Sequence, residues 1–355
     1  MRLKFSVLNI LFAGLVALTA GFIPAQAMAK KLYVVAANPT YADMVKYIAG
    51  DLVKVDYITK GDEDPHFVRP KPSFVVMLSK ADVFVATGLD LELWAPSLID
   101  KSMNGRIRQG QPGYIAVYDG MKLLNIPDAA TRSQGGVHLF GNPHIHTSPM
   151  NAKVIAKNIA IGLCKNDMAH CDQYKAGYKR FNHEIDVRMF GKQLLKLLGS
   201  QTLTQLAVQG NIVPFLKAHK FKGKPLSDYA EGWVKKAMPL WGRKMVTYHE
   251  NWIYFATVFG LKIIREVEPK PAIPPSPKDI EKLIKTMKED RIPVIFAGNF
   301  YDESKIRRVC KVVHAVPVIV AFMDYGKPGI DSYFKLVDSW IDGLLEGFNK
   351  AGVLK

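Results

Sequence analysis

The sequence predicts an α/β protein built as two lobes, and three observations carry that reading. Short apolar runs alternate with helical stretches after residue 30, the alternation recurs in the last third, and a stripe at helical spacing separates the two blocks. In the first block, strands read at 32–36, 53–58, 82–87 and 114–118, with helices at 41–48 and 91–99. In the last third, strands read at 244–248, 262–267, 294–297 and 318–322, with helices at 252–259, 278–288 and 304–312. Strands that alternate with helices in this way form parallel sheets covered by helices. Between the blocks, Tyr174, Tyr178, Phe181, Ile185 and Met189 recur at steps of three or four, the spacing of one buried helical face. The stripe slips by one residue and continues through Phe190, Leu194 and Leu197, with Gly191 a weak point at the slip. One helix over that stretch is about 35 Å long, a stiff rod joining the lobes. From 199 to 241 the pattern loosens around Gly210, Gly223 and Pro225 and reads as an insertion. The expected organisation is a signal peptide at 1–29, an N-terminal α/β lobe at 30–172, a linking helix with the insertion at 173–242, and a C-terminal α/β lobe at 243–355.

The first residues read as an export signal. Arg2 and Lys4 precede an apolar run from Val7 to Leu18, and small residues at Ala25-Gln26-Ala27 place cleavage after Ala27 or Ala29. Gly14, Gly21 and Pro24 break the run, and no later segment reaches the roughly 20 apolar residues a bilayer span needs. No cysteine lies near the cleavage point, so the periplasm is the expected address and a lipid-anchored form is not expected. An oxidising compartment suits a disulfide between Cys164 and Cys171, with Cys310 left over. Three scattered cysteines make no CxxC pair, which excludes a cysteine-based metal site.

The composition, 48% hydrophobic and 23% charged, is that of a folded protein large enough for two domains. Removing residues 1–29 takes away Arg2 and Lys4 and no acid, so the formal charge falls from +16 to +14. Such a basic balance points to nucleic acid in many proteins. Export separates the chain from it and no nucleic-acid motif is present, so no such partner is expected. A lysine-rich solvated surface, in part docking an acidic partner, accounts for the charge.

Four residues carry the chemistry: His66 in Asp64-Pro65-His66, His144 in Asn142-Pro143-His144, His249 in Tyr248-His249-Glu250-Asn251, and Asp324 in Met323-Asp324-Tyr325. Each follows a strand or sits in a tight loop, and open α/β sheets bind ligands in the crevice beyond their strands' carboxyl ends. Three imidazoles and a carboxylate complete a tetrahedral shell for a divalent ion, with zinc the best match and manganese favouring more oxygen. A filled shell argues for carrying metal, since a catalytic zinc keeps a position for water or substrate. Imidazole binds only when neutral, so with a reference pKa of about 6.5 mild acidification is expected to release the ion. His146 forms a His-Ile-His pair with His144, but Thr147-Ser148-Pro149 follows where a metallo-hydrolase needs a further Asp and His. A hydrolase would use Glu250 as its base, and a structural metal in an adhesin is a third reading. His138, in the glycine-rich stretch 135–141, reads either as a solvated loop histidine or as a transient contact during metal loading.

With those phrases, the chain resembles the periplasmic solute-binding proteins of zinc and manganese ABC importers, the TroA-like or ZnuA-like group. Further matching stretches are Lys71-Pro72-Ser73, Gly88-Leu89-Asp90-Leu91-Glu92-Leu93-Trp94, Asn251-Trp252-Ile253-Tyr254-Phe255, Phe259-Gly260-Leu261 and Glu268-Pro269. The resemblance implies two Rossmann-like lobes joined by a long helix, with the metal in the cleft between them. It also implies a non-enzymatic monomer that delivers Zn2+, or alternatively Mn2+ or Fe2+, to a membrane permease powered by a separate ATPase. His66, His144 and His249 match the family's histidine ligands and Asp324 its C-terminal-lobe aspartate. A histidine rather than a glutamate at 249 is similar to the zinc-leaning members. The family's second histidine is followed by a Trp and an Asp where His146 and Ser148 stand here. The long interval from His144 to His249 locates the insertion.

Overall fold

The computed structural model describes residues 30–127, 138–268 and 273–354. The signal-peptide reading of 1–29 and residues 135–137 of the glycine-rich stretch lie outside them. The N-terminal lobe is β1 (Leu32–Ala36), α1 (Pro39–Ala49), β2 (Val53–Tyr57), α2 (Pro72–Lys80), β3 (Val83–Ala86), α3 (Ala95–Lys101), β4 (Tyr114–Ala116) and α4 (Pro149–Asn166). Its strands lie in the order β2-β1-β3-β4, all parallel. The linking helix α5 (Cys171–Val208) follows, then α6 (Ile212–Ala218), a short hairpin β5 (Lys220–Phe221) and β6 (Lys224–Pro225), and α7 (Gly232–Ala237). The C-terminal lobe is β7 (Lys244–Thr247), α8 (Ile253–Phe259), β8 (Lys262–Glu266), α9 (Pro277–Glu289), β9 (Val294–Gly298), α10 (Glu303–Val313), β10 (Val316–Val320) and α11 (Tyr333–Lys350). Its parallel order, β10-β9-β7-β8, puts the first strand between the second and third, as in the other lobe.

Strand alternation divides the core into three. Val34 and Ala36 face inward with Met245, Val294 and Phe296, in one apolar core shared by both lobes, while Val35 and Ala37 face α2 and α3. Val246, Ile295 and Ala297 do the same under α9 and α10. The shared core is what packs the lobes together, with Trp252 and Trp340 fully buried in it. Among the described residues no helix is long and apolar enough to cross a membrane.

Several boundaries differ from the sequence reading. The helix expected at 91–99 starts at Ala95, because Pro96 lacks the amide a helix interior requires and fits only the first turn. The strand expected at 318–322 runs Val316–Val320; Pro317 is tolerated because β10 is the edge of its sheet. Helices α2, α4 and α11 are absent from the alternation read in the sequence. The linking helix is present, but Gly191 (φ 77°) and Gly199 (φ 75°) leave helical conformation. In an unbroken helix, residues 186 and 200 stand about 21 Å apart. Here the Ser200 hydroxyl donates to Asp186 Oδ2 at 2.6 Å, and Lys153 Nζ on α4 donates to Asp186, Ser200 and Thr204 together. The rod is therefore unbroken from Cys171 to Phe190, about 30 Å, and then doubles back. The insertion fixes it there: Trp233 of α7 donates to Asp338 of α11 at 2.7 Å, and Lys236 pairs with Asp342 at 2.6 Å. The Cys164–Cys171 disulfide closes the turn from α4 into α5. A loop this short contributes about 2 kcal/mol in the chain-entropy picture.

Candidate metal centre

His66 lies in the loop after β2, His144 in the loop leading to α4, and His249 just past the end of β7. The structure gathers these three with His138: all four donor atoms lie within 4.8 Å of one another. Ring centroids are 5.1 Å apart for His66 and His144, 5.3 Å for His144 and His249, and 5.6 Å for His66 and His249. His144 is completely buried, and His138 and His249 nearly so.

Local chemistry holds each ring. Asp64 Oδ1 accepts from the His66 amide at 3.0 Å and lies 2.7 Å from its Nδ1. Asn142 repeats the motif on His144, accepting from the amide at 3.0 Å and lying 2.9 Å from Nδ1. Both arrangements leave Nε2 pointing inward, buried and without a hydrogen-bond partner. Outer partners of this kind orient ligating imidazoles. Glu268 lies 3.8 Å from His249 Nδ1, and Glu250 lies 4.0 Å from His138 Nε2. Asn142 is itself pinned: its side chain donates to Glu250 O at 2.7 Å and its carbonyl accepts from Tyr254 Oη at 2.7 Å. Buried polar atoms left unpaired cost stability, so a cluster of orphaned imidazole nitrogens marks a site arranged for a ligand.

Electrostatics favour the neutral, metal-ready form. Burial, reinforced by repulsion from the other rings, holds His144 and His249 well below the ordinary histidine range, and pushes His138 down to about 3. Below the unfolded value of about 6.5 the unfolded chain binds protons that these folded rings refuse, so metal-free stability is complete above that pH and declines as acid is added. The same shift postpones proton competition. If three rings titrated together, apparent zinc affinity would fall about a thousandfold per pH unit. Between pH 7 and 5 the fall is expected to be far shallower, as chelator competition across that range would measure, so release moves to stronger acid than free imidazole suggests.

Asp324 stands outside this group. It follows β10 by four residues, its amide donates to Thr40 Oγ1 at 3.2 Å, and it is fully buried. Burial and then the charge of Asp43 push its carboxyl up to about 8; the acids acting on it are Asp43 and Asp331. His146 is buried too, with Nε2 3.3 Å from the Phe322 carbonyl and its ring edge-on to Phe322, a packing role. Glu250, read in the sequence only as the base a hydrolase would use, adjoins His138 at the site. His138 is no solvated loop histidine. The signal for it was Gly141: with φ 107° and a built Cβ only 3.0 Å from Leu123, this glycine permits the turn that folds His138 back beside His144.

Comparison with known proteins places the chain among metal-binding components of ABC importers. The family model for the zinc-uptake complex component A, periplasmic, matches residues 34–188 and 225–347, leaving out most of the folded-back linker and insertion. The manganese ABC transporter substrate-binding lipoprotein PsaA of Streptococcus anginosus is 23% identical over 98% of this chain and 99% of its own length. The metal ABC transporter substrate-binding lipoprotein FimA of Streptococcus parasanguinis is 24% identical over 90% of each. Among solved structures, a zinc-bound ZnuA carrying a 138–173 deletion superimposes with a TM-score of 0.64 at 23% identity, covering 89% of this chain and 97% of that one. A manganese-bound periplasmic metal-binding protein from Candidatus Liberibacter asiaticus gives 0.62 at 18% identity, with 89% and 99% coverage.

Proposed function

The chain belongs to the family of the periplasmic component A of zinc-uptake complexes, and from that premise we propose that it captures Zn2+ outside the cytoplasm and delivers it to the permease of an ABC importer. It is a solute-binding protein of such importers, not an enzyme. The observation that carries the zinc reading is the cluster of four inward-facing histidines, His66, His138, His144 and His249. Imidazole nitrogen suits zinc, whereas manganese prefers carboxylate oxygen. Manganese is the second reading, favoured by the nearness of Glu250 and Glu268 to two of the rings and by the name of the Streptococcus anginosus relative. The protein acts in the periplasm as a monomer; the relatives are named as lipoproteins, so a membrane-tethered form is the alternative address.

Metal analysis of the full chain, purified without chelators or metal-loaded resins, tests the reading directly. One equivalent of zinc is expected, retained against excess manganese. Manganese in its place would overturn the zinc assignment, and no bound transition metal would overturn the cargo role itself.

A further inference from the structure

We propose that His138 supplies the fourth donor to the cargo ion and, in place of Asp324, sets which divalent metal the protein keeps. The inference rests on the reading of the histidine cluster as the cargo site and names the residue that tunes it.

Placement is the first argument. The His138 ring centroid lies 5.3 Å from His66, 5.3 Å from His144 and 6.1 Å from His249, distances like those among the other three. Its Nε2 is buried with no hydrogen-bond partner. The position is also built. The Gly141 amide donates to the His138 carbonyl at 3.2 Å, closing a turn, and the Asn142 amide donates to Leu124 O at 2.8 Å to hold the segment that leads to His144. One anchored segment therefore delivers two of the four rings, His138 and His144. Asp324 is also buried with both carboxylate oxygens unpaired, but it is not one of the four donors that lie within 4.8 Å of one another, and its backbone is held at the seam between the lobes, where its amide donates to Thr40.

The chemistry follows from the donor set. With His138 the ion meets four neutral nitrogens, and no carboxylate belongs to the group that closes around it. Negative charge instead stands one step out, on Asp64 beside His66, Glu250 beside His138 and Glu268 beside His249. An all-nitrogen tetrahedron discriminates against manganese, and a carboxylate donor in one of its positions weakens that discrimination.

The test uses the full chain with Zn2+, Mn2+ and Co2+ as the only probes. Outer-sphere substitutions at metal sites cost about 10- to 100-fold in affinity, so His138→Ala, which removes a direct donor, should weaken zinc at least about tenfold. It should also change the visible spectrum of the cobalt-loaded protein, which reports the donors themselves and is blind to a merely structural role. His138→Asp should narrow the zinc-to-manganese preference, while Asp324→Ala should keep both zinc affinity and cobalt spectrum near the wild type. Melting of each metal-free variant verifies that it folds. Unchanged zinc affinity and cobalt spectrum in His138→Ala, with His66→Ala strongly impaired, would overturn the proposal and leave the cargo site standing. Unchanged affinity in His66→Ala as well would bring down the cargo reading on which it rests.

Discussion

Replacing His249 with alanine is expected to lower zinc affinity by on the order of 100-fold or more while leaving the metal-free fold nearly as stable as before. The two halves of that expectation have one cause. Both ring nitrogens of His249 are buried without a hydrogen-bond partner, and Glu268 at 3.8 Å from Nδ1 is beyond hydrogen-bond length. In the metal-free protein the ring is a burden, because a buried unpaired polar group costs about 1–3 kcal/mol. Truncation removes that cost and leaves a cavity, and the two largely offset. With zinc bound the ring becomes a donor, and losing it leaves an ion with an incomplete shell. Zinc at a thousand times its dissociation constant stabilises a protein by about 4 kcal/mol, so melting with and without zinc separates the two effects. Chelator competition gives the affinity. Equal zinc affinity in wild type and variant would remove His249 from the site.

The second large effect is expected where no ligand is touched. Gly61 lies in the turn between β2 and His66, and a Cβ placed on it would sit 2.2 Å from Asp324 O, 2.4 Å from Gly326 N and 2.6 Å from Tyr325 C. All three are backbone atoms of the opposite lobe, so no rotamer change can absorb the clash. Gly61→Ala must push the lobes apart at this seam or shift the turn that leads to His66. Overpacking costs about 1–3 kcal/mol even when side chains can give, and a backbone contact places this substitution at the top of that range. Zinc affinity should fall with it, since His66 and His249 approach from opposite lobes. Gly105→Ala is the control, because its Cβ would meet open space. Indistinguishable melting and zinc binding in the two variants would show that the seam does not set the site.

How much of this was readable beforehand differs residue by residue. His66, His144 and His249 were legible because each sits in a short phrase at a strand end or proline turn, where local rules fix the backbone. His138 was not, since its place depends on a turn enforced by packing of Leu123 and Ile126 around Gly141. Asp324 was read from its place after a strand and from its match to the family's aspartate; the strand itself ends two residues earlier than expected, at Val320. Helix α4 was within reach: Ser148 caps it, Pro149 opens it, and Ile155, Ile159 and Leu163 mark its buried face. The break at Gly191 was flagged by composition. The fold-back that follows could not be, because it is made by Lys153, far away in the chain.

That fold-back bears on how the cargo leaves. A tether of uniform stiffness would let one lobe twist and slide against the other; here the lever arm ends at Phe190, and beyond it the chain is strapped to α4 on one side and, through α7, to α11 on the other. A release that needs the lobes to part must therefore work against these straps as well as against the ring nitrogens.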